Sequence, residues 1–424
     1  MTSTAIADSE GSLLTEASFS FKKGHLYRSL KIFEGELSKQ ASDFIGKFAN
    51  EYLDTYHTLS TDKKLKKICN EIKSKLNKTS KPVFLRSCIQ KALINSDLKW
   101  SRELVRELSK IDSSLETNLV IASHYLIDGN PELCIEHLNK KKTIEYEKSN
   151  LGDLRHLTSA RCESTRKNYE LASLDLLKVA GSSKKYFDAL FELAWLSYKQ
   201  GDNGNAKQNL YSIISSFQGF DAQIQTVNSK NYFDARLLRA YIYLAQNNMG
   251  KVSFETESLV SDLKSYRDAH LVTQNQLNTF FKNIEKIPSN WIKVQENSKI
   301  VLNIISGARD WLGHKKASFL ERELIHFIAL KAEKRDIESS SNAQYKRQIS
   351  DLYDAKKKSI LILMKVANNQ IESKVKGFEL KTLLLGNESR VLADTQGIKG
   401  KEDLQRKFRE RGEYLDRYFG GSSL

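Results

Sequence analysis

The most constraining feature of this 424-residue chain is a spacing. Between Tyr186 and Ile213, Ala194 is followed seven residues later by Gly201, five later by Ala206, and four later by Leu210. Leu190, Leu193 and Ile213 place apolar side chains around these points at helical intervals. The pattern predicts two helices joined across Lys199–Asn205. A small side chain at Ala194 lets the second helix approach the first. Gly201 supplies the left-handed backbone that ends a helix and that other residues resist. Ala206 is a second point of close approach, and Leu210 fills the groove between the helices.

The same frame recurs. Residues 115–148 carry Ile121-Ala122, Tyr125, Gly129, Cys134 and Leu138 in equivalent places. Residues 153–186 carry Ala160, Ala172, Leu176 and Val179, with Lys167 where glycine is expected. Residues 10–40 offer Ala17, Gly24, Ser29 and Phe33. Residues 82–114 fit more weakly, through Ser96, Ser101 and Val105. Residues 233–266 keep Ala240 and Tyr243 but lose the signature of the second helix, after an insertion around Gln218–Asn231.

A helix–turn–helix of about 34 residues with this signature resembles the tetratricopeptide repeat. The run from Phe187 to Asp202 looks most like repeats from bacterial cell-envelope proteins, including outer-membrane assembly factors and envelope parts of motility or secretion machines. Ser197 departs from the pattern, since an aromatic residue is usual there and Tyr198 comes one later. Composition agrees with helices. Three prolines and twenty glycines are too few for many short strands joined by turns. The expected fold is all-α. A tetratricopeptide-like solenoid would occupy residues 10–265 and a C-terminal helical module residues 266–424, built as a coiled-coil-like hairpin of long helices.

Within that module, Val301, Ile305, Ala308 and Leu312 share a helical face, as do Ile349, Leu352/Tyr353, Ile360, Leu363/Met364, Ala367, Ile371, Val375 and Phe378. The stretch 338–342 is the predicted hairpin turn. Gly386-Asn387 and Gly397–Gly400 read as punctuation before a last helix over Glu402–Phe419, with Leu404, Phe408, Leu415 and Phe419 on one face.

The formal net charge of +15 is spread along the chain rather than gathered into an arm. The densest basic run, from Lys63 to Lys78, reads as a solvated helix face or as a phosphate-contacting patch without interleaved aromatic platforms. Cys69, Cys88, Cys134 and Cys162 show neither metal spacing nor a disulfide framework, so they read as small buried apolar side chains. No apolar run is long enough to cross a membrane. Residues 1–9 end in Ala5-Ile6-Ala7, the small-residue pattern of a signal cleavage site, without the preceding charged and apolar regions. They read as a disordered tail or as the remnant of a signal peptide. The corresponding compartments are the periplasm or cell envelope, or otherwise the cytoplasm.

Phosphate-loop, dinucleotide, zinc-protease and nucleophile-elbow motifs are absent. Only His124 and His137 fall within one repeat, on different helices, and read as surface or boundary residues. No catalytic residue, metal, cofactor or small-molecule substrate is expected. The resemblance implies a protein-binding scaffold, because stacked helix pairs present a concave face built by the first helix of each repeat. Glu116, Leu119, Ser123, Leu157, Asp188 and Leu237 fall on that face in the repeat frame. The candidate binding residues are Arg161, Phe191, Trp195, Tyr198, Lys199 and Tyr241. Packing against the neighbouring repeat is the competing reading for Phe191, Trp195 and Tyr198. Two other functions compete: a basic helical nucleic-acid-binding protein, and a repeat appendage of an enzyme.

Overall fold

The computed structural model describes residues 13–22, 26–36, 42–59, 62–95, 97–217, 229–270, 314–337 and 342–394, with residues 278, 282 and 312. Residues 1–9, Gly24, Ser96, Val301, Ile305, Ala308, most of the expected turn at 338–342, and the expected helix at 402–419 lie outside these. Among the described residues every element is a helix. The first is α1 (13–22). Next come α2 (Leu26–Glu36), α3 (Ser42–Leu59) and α4 (Asp62–Lys73). Five pairs follow: α5 (Ser80–Ile94) with α6 (Leu98–Ile111), and α7 (Leu115–Ile127) with α8 (Pro131–Asn139). After the short α9 (Thr143–Glu147) come α10 (Gly152–Thr165) with α11 (Tyr169–Leu176), and α12 (Tyr186–Lys199) with α13 (Asn203–Phe217). The last pair is α14 (Ser229–Ala245) with α15 (Met249–His270). Two long helices, α16 (His314–Asp336) and α17 (Ala343–Asp394), complete the fold.

Four of the five pairs share the same left-handed turn. The first helices α7, α10, α12 and α14 end at Gly129, Lys167, Gly201 and Asn247, with φ of 75°, 65°, 81° and 55°. The next residue, Asn130, Asn168, Asp202 or Asn248, donates its backbone N–H five residues back, to the carbonyls of Tyr125, Glu163, Ser197 and Tyr243 at 2.8–2.9 Å. This satisfies an orphan carbonyl of the first helix. Three of these side chains also cap the second helix: Asn130, Asp202 and Asn248 accept from the N–H groups of Leu133, Asn205 and Lys251. Asp97 does both jobs in the pair α5/α6, donating to Ala92 and accepting from Trp100.

The small residues lie where the spacing put them. Ala122, Ala160, Ala194 and Ala240 are buried, and so are Cys134, Ala172, Ala206 and Val252 twelve residues on. Leu138, Leu176, Leu210 and Thr256 are buried four residues further. The pair α14/α15 therefore keeps the frame although Val252 and Thr256 replace the expected small residue and leucine. Ala17, Ser29 and Phe33 are buried in the same relation, and Ser29 donates to the Ala17 carbonyl at 2.8 Å.

The helices α16 and α17 run antiparallel. Tyr345 donates its hydroxyl to Glu333, Lys356 meets Glu323 at 2.7 Å, and Lys316 meets Gln370 at 2.8 Å. The apolar alternation of α17 faces inward: Ile349, Tyr353, Ile360, Met364, Ala367, Ile371, Val375 and Phe378 are buried. Gly386-Asn387 does not punctuate the helix, because α17 continues to Asp394. A Cβ at Gly386 would lie 2.8 Å from the Thr256 hydroxyl, so this glycine serves a close approach to α15. One apolar cluster consequently extends from Ala194 to Leu385. The far end returns to the beginning: α16 touches α2 and α3, and the Lys31 ammonium sits 5.7 Å over the Tyr345 ring.

The cysteines correct the expectation of unpaired thiols. Cys69 pairs with Cys88, and Cys134 with Cys162. The first bond ties α4 to α5. The second ties α8 to α10, the first helix of the next pair. Neighbours in a solenoid are separated by most of a repeat in sequence, so spacings of 19 and 28 residues join adjacent helices. His124 and His137 are likewise buried rather than superficial, and both rings pack against Tyr125, at 5.3 and 5.4 Å between ring centres.

Two expected outcomes follow from this packing. Exposed Lys167 occupies a left-handed conformation that costs an L-residue roughly 1–2 kcal/mol. Lys167→Gly should raise stability in urea by about 0.5–1 kcal/mol, while Gly201→Ala should lower it by about 1 kcal/mol. Equal effects of one sign would contradict the turn assignment. Burial, with Lys356 nearby, pushes the His326 imidazole down to about 3 from 6.5. The unfolded chain therefore takes up a proton that the fold refuses. Stability should fall as pH drops below 6.5, by up to about 1.4 kcal/mol per unit. His326→Leu should flatten that slope, and a His326 resonance titrating near 6.5 would contradict the burial.

Candidate protein-binding surface

The face of the first helices is narrower than the repeat frame implies. Leu119, Leu157 and Leu237 are buried and hold helices together instead of lining a groove. Ser123 turns its hydroxyl to the Leu119 carbonyl at 2.9 Å. Asp188 accepts from Asn231 at 2.9 Å, joining α12 to the start of α14.

Arg161 occupies a different place from the one expected of a groove cation. Its guanidinium grips the Glu192 carboxylate with Nε at 2.9 Å and one terminal nitrogen at 2.6 Å, linking α10 to α12. About a quarter of the arginine side chain and a fifth of the glutamate remain exposed. Burial raises the Glu192 carboxyl above its ordinary range against the pull of Arg161. Burial opposes the Arg161 charge too, but Glu192 more than compensates, and the guanidinium is held above its usual value. Glu192 was not among the residues singled out from sequence. A usable signal existed: it follows Arg161 by 31 residues, as Thr117 follows its hydrogen-bond partner Arg86.

The remaining candidates converge on α12. Phe191, Trp195 and Tyr198 are half-buried and rest on the large apolar cluster, as does Tyr241 of the neighbouring α14. The packing reading is therefore met in part, and each of these side chains keeps accessible area. The Trp195 and Tyr198 rings lie 5.8 Å apart, and the ammonium of exposed Lys199 stands 5.3 Å over Trp195. This combines apolar area, ring faces and a positive charge at one helix end. Lys207 and Lys251 stand near Tyr243 at 5.8 and 5.3 Å, adding cations beyond the next turn.

Elsewhere the surface is occupied by ion pairs. In the basic run of α4, Lys66 meets Glu103 at 3.2 Å and Lys73 meets Glu107 at 2.7 Å, both on α6. Two lysines of that run therefore serve as helix-to-helix contacts. A concavity of about 470 Å³ at the α9–α10 turn is lined by Glu147, Ser149, Asp153, His156 and Lys178 among others. There His156 already bonds Asp175 at 3.1 Å. Among the described residues no group of three His, Cys, Asp or Glu could hold a metal ion, and no helix is long and apolar enough to cross a membrane.

No protein-family model matches the chain, and no curated protein is significantly similar to it. Among solved structures, the chain is similar to the C-terminal part of a tetratricopeptide repeat-containing protein from Cytophaga hutchinsonii. The two share 16% identity with a TM-score of 0.45, covering 58% of this chain and 94% of the other. The all-α repeat fold itself rests on the recurring turns and buried small residues described above.

The ion pair makes Arg161 and Lys199 separable. Arg161→Glu would set two half-buried carboxylates against each other and should cost about 2–4 kcal/mol in urea denaturation. Lys199→Glu, at an exposed position, should cost under about 1 kcal/mol. Equal small losses would mean that the Arg161–Glu192 bond does not hold the repeats together.

Proposed function

We propose that this protein is a non-catalytic scaffold that captures a partner protein or peptide along the first helices of its repeats, with α12 as the anchor. We further propose that it works in an oxidising compartment, the bacterial periplasm or envelope, as part of an envelope assembly. The observation that carries the binding reading is the grouping of Phe191, Trp195, Tyr198 and Lys199. The opposite side of α12 is closed by buried Ala189, Leu193, Ala194 and Leu196, while these four keep accessible area. Aromatic residues anchored on a rigid helix bury much apolar area at low entropic cost, and such positions dominate interface energetics. The positive charge at Lys199, with the overall excess of cations, favours a partner carrying acidic groups. The compartment reading is supported by the pairing of all four cysteines, since disulfides persist where thiols are not continually reduced.

The test is affinity capture from envelope extracts with wild type and a Tyr198→Ala/Lys199→Glu double variant, with helicity measured on both. Capture should fall at least about tenfold while the helical signal is retained. Undiminished capture by a folded double variant would move the binding surface away from α12. Alkylation of the protein taken directly from cells should find no reactive thiol, whereas four alkylated cysteines would rule out the oxidising compartment.

A further inference from the structure

The long helix α17 has a second apolar stripe that no other described helix covers. Its buried side, from Ile349 to Leu385, packs on α15 and α16. On the opposite side Ile362, Val366, Leu380, Leu383 and Leu384 are 65, 58, 58, 45 and 51% exposed. Between the apolar ends come Asn369, Ser373 and Gly377, the last with nothing within 4 Å of where a Cβ would stand. Spacings of three and four residues keep all of these on one side of the helix.

The order of the stripe is a palindrome about Ser373. We propose that this face binds a second copy of the chain, with the two α17 helices antiparallel and the two-fold axis at Ser373. In that register Ile362 meets the partner's Leu384, Val366 meets the partner's Leu380, and Asn369 meets the partner's Gly377. Apolar groups then face apolar groups at both ends, and small or polar groups face each other at the crossing. A two-fold interface requires such self-complementarity. Charge selects the antiparallel direction. Glu372 and Lys376 form an exposed i, i+4 pair at 2.7 Å beside the stripe. In the register about Ser373, Lys376 lies about 3 Å along the axis from the partner's Glu372 and about 9 Å from the partner's Lys376, while the two Glu372 side chains are offset by about 3 Å. A parallel copy would set Lys376 against the partner's Lys376. A shallow depression of about 280 Å³, lined by Asn369, Glu372, Ser373 and Lys376, lies at the crossing point and offers room for the facing side chains.

The stripe is about 33 Å long at 1.5 Å per residue. One helix pair of that length falls below the roughly 1,200 Å² of a stable interface, so the association belongs to the weak class, on the order of tens of micromolar. It holds independently of what the repeats bind.

Sedimentation velocity on the full chain, from roughly 1 to 200 µM, is the first measurement, chosen to bracket that affinity. A monomer–dimer shift is expected. Leu380→Glu should weaken it at least about tenfold with unchanged helicity, because Leu380 is exposed in the monomer. Register is read by cross-linking under a mild copper–phenanthroline oxidant. Ser373→Cys should form a covalent dimer by itself. Val366→Cys should not, but should cross-link when mixed with Leu380→Cys. Three results would overturn the proposal: a monomer at every concentration, a dimer indifferent to Leu380→Glu, or self-cross-linking of Val366→Cys. The first would leave a different protein as the occupant of this face.

Discussion

Everything in this fold depends on one short backbone bond, the amide that reaches back five residues across each left-handed turn. It forms only if the preceding residue accepts positive φ, and it fixes the angle at which the second helix returns. Once that angle is set, the residues facing across the pair have to be small, which is why Ala194 and Ala206 sit at 0% exposure. The geometry is strong enough to hold Lys167 at φ 65° and Asn247 at φ 55° where glycine would be easier. Local strain at those two positions is offset by burial of the helices they join.

Apolar burial within a pair does not fix how one pair meets the next. Here polar ties do much of that work. Arg161 holds Glu192 across the pairs α10/α11 and α12/α13, and Arg86 holds Asp112, Ser114 and Thr117 between α5 and the start of α7. Directional bonds of this kind specify an orientation that non-directional contact leaves loose. The same ties remove cations from the solvent. A chain with a formal charge of +15 therefore presents fewer available positive groups than its composition suggests, and Lys199 is one of several lysines that lie over aromatic rings.

The spacing of small residue, turn, small residue and leucine was legible because each depends on one local steric requirement. It located five helix pairs, and apolar alternation by three and four located the inward face of α17. What escaped notice depended on partners distant in sequence. Glu192 was overlooked because a glutamate on a helix looks like a surface residue until Arg161 of the preceding pair is set beside it. Cys134 and Cys162 looked like ordinary small residues for the same reason. The Asn or Asp that follows each left-handed residue was visible all along at Asn130, Asn168, Asp202 and Asn248. It went unused because a single Asx in a turn is common, and its meaning lies in the repetition. On the candidate surface, Trp195 and Tyr198 are half-buried on α12. How far the core would absorb them was not legible, since that depends on how closely α14 approaches α12.

A stack of helix pairs has two ends, and each would expose an apolar face. This chain closes both with its own C-terminal helices. At one end α17 lies along α15, so closely at Gly386 that no side chain fits against Thr256. At the other, α16 reaches α2 and α3, and Lys31 stands over Tyr345. The repeats and the long helices are thus held in one framework, and the large apolar cluster crosses from one to the other without a break. The exposed side of α12 is then backed by α13, by α14 and, through α15, by α17. Such a face is held in shape before a partner arrives, so less of the contact energy is spent on ordering it. Helix pairs with free ends would have to give up that advantage, because their terminal faces would fray or seek other surfaces. Capping the stack with a helix as long as α17 has a physical consequence of its own. Residues 343–394 extend well beyond what α15 and α16 can cover on one side, and an uncovered helix side carrying leucine and isoleucine is a surface that invites association.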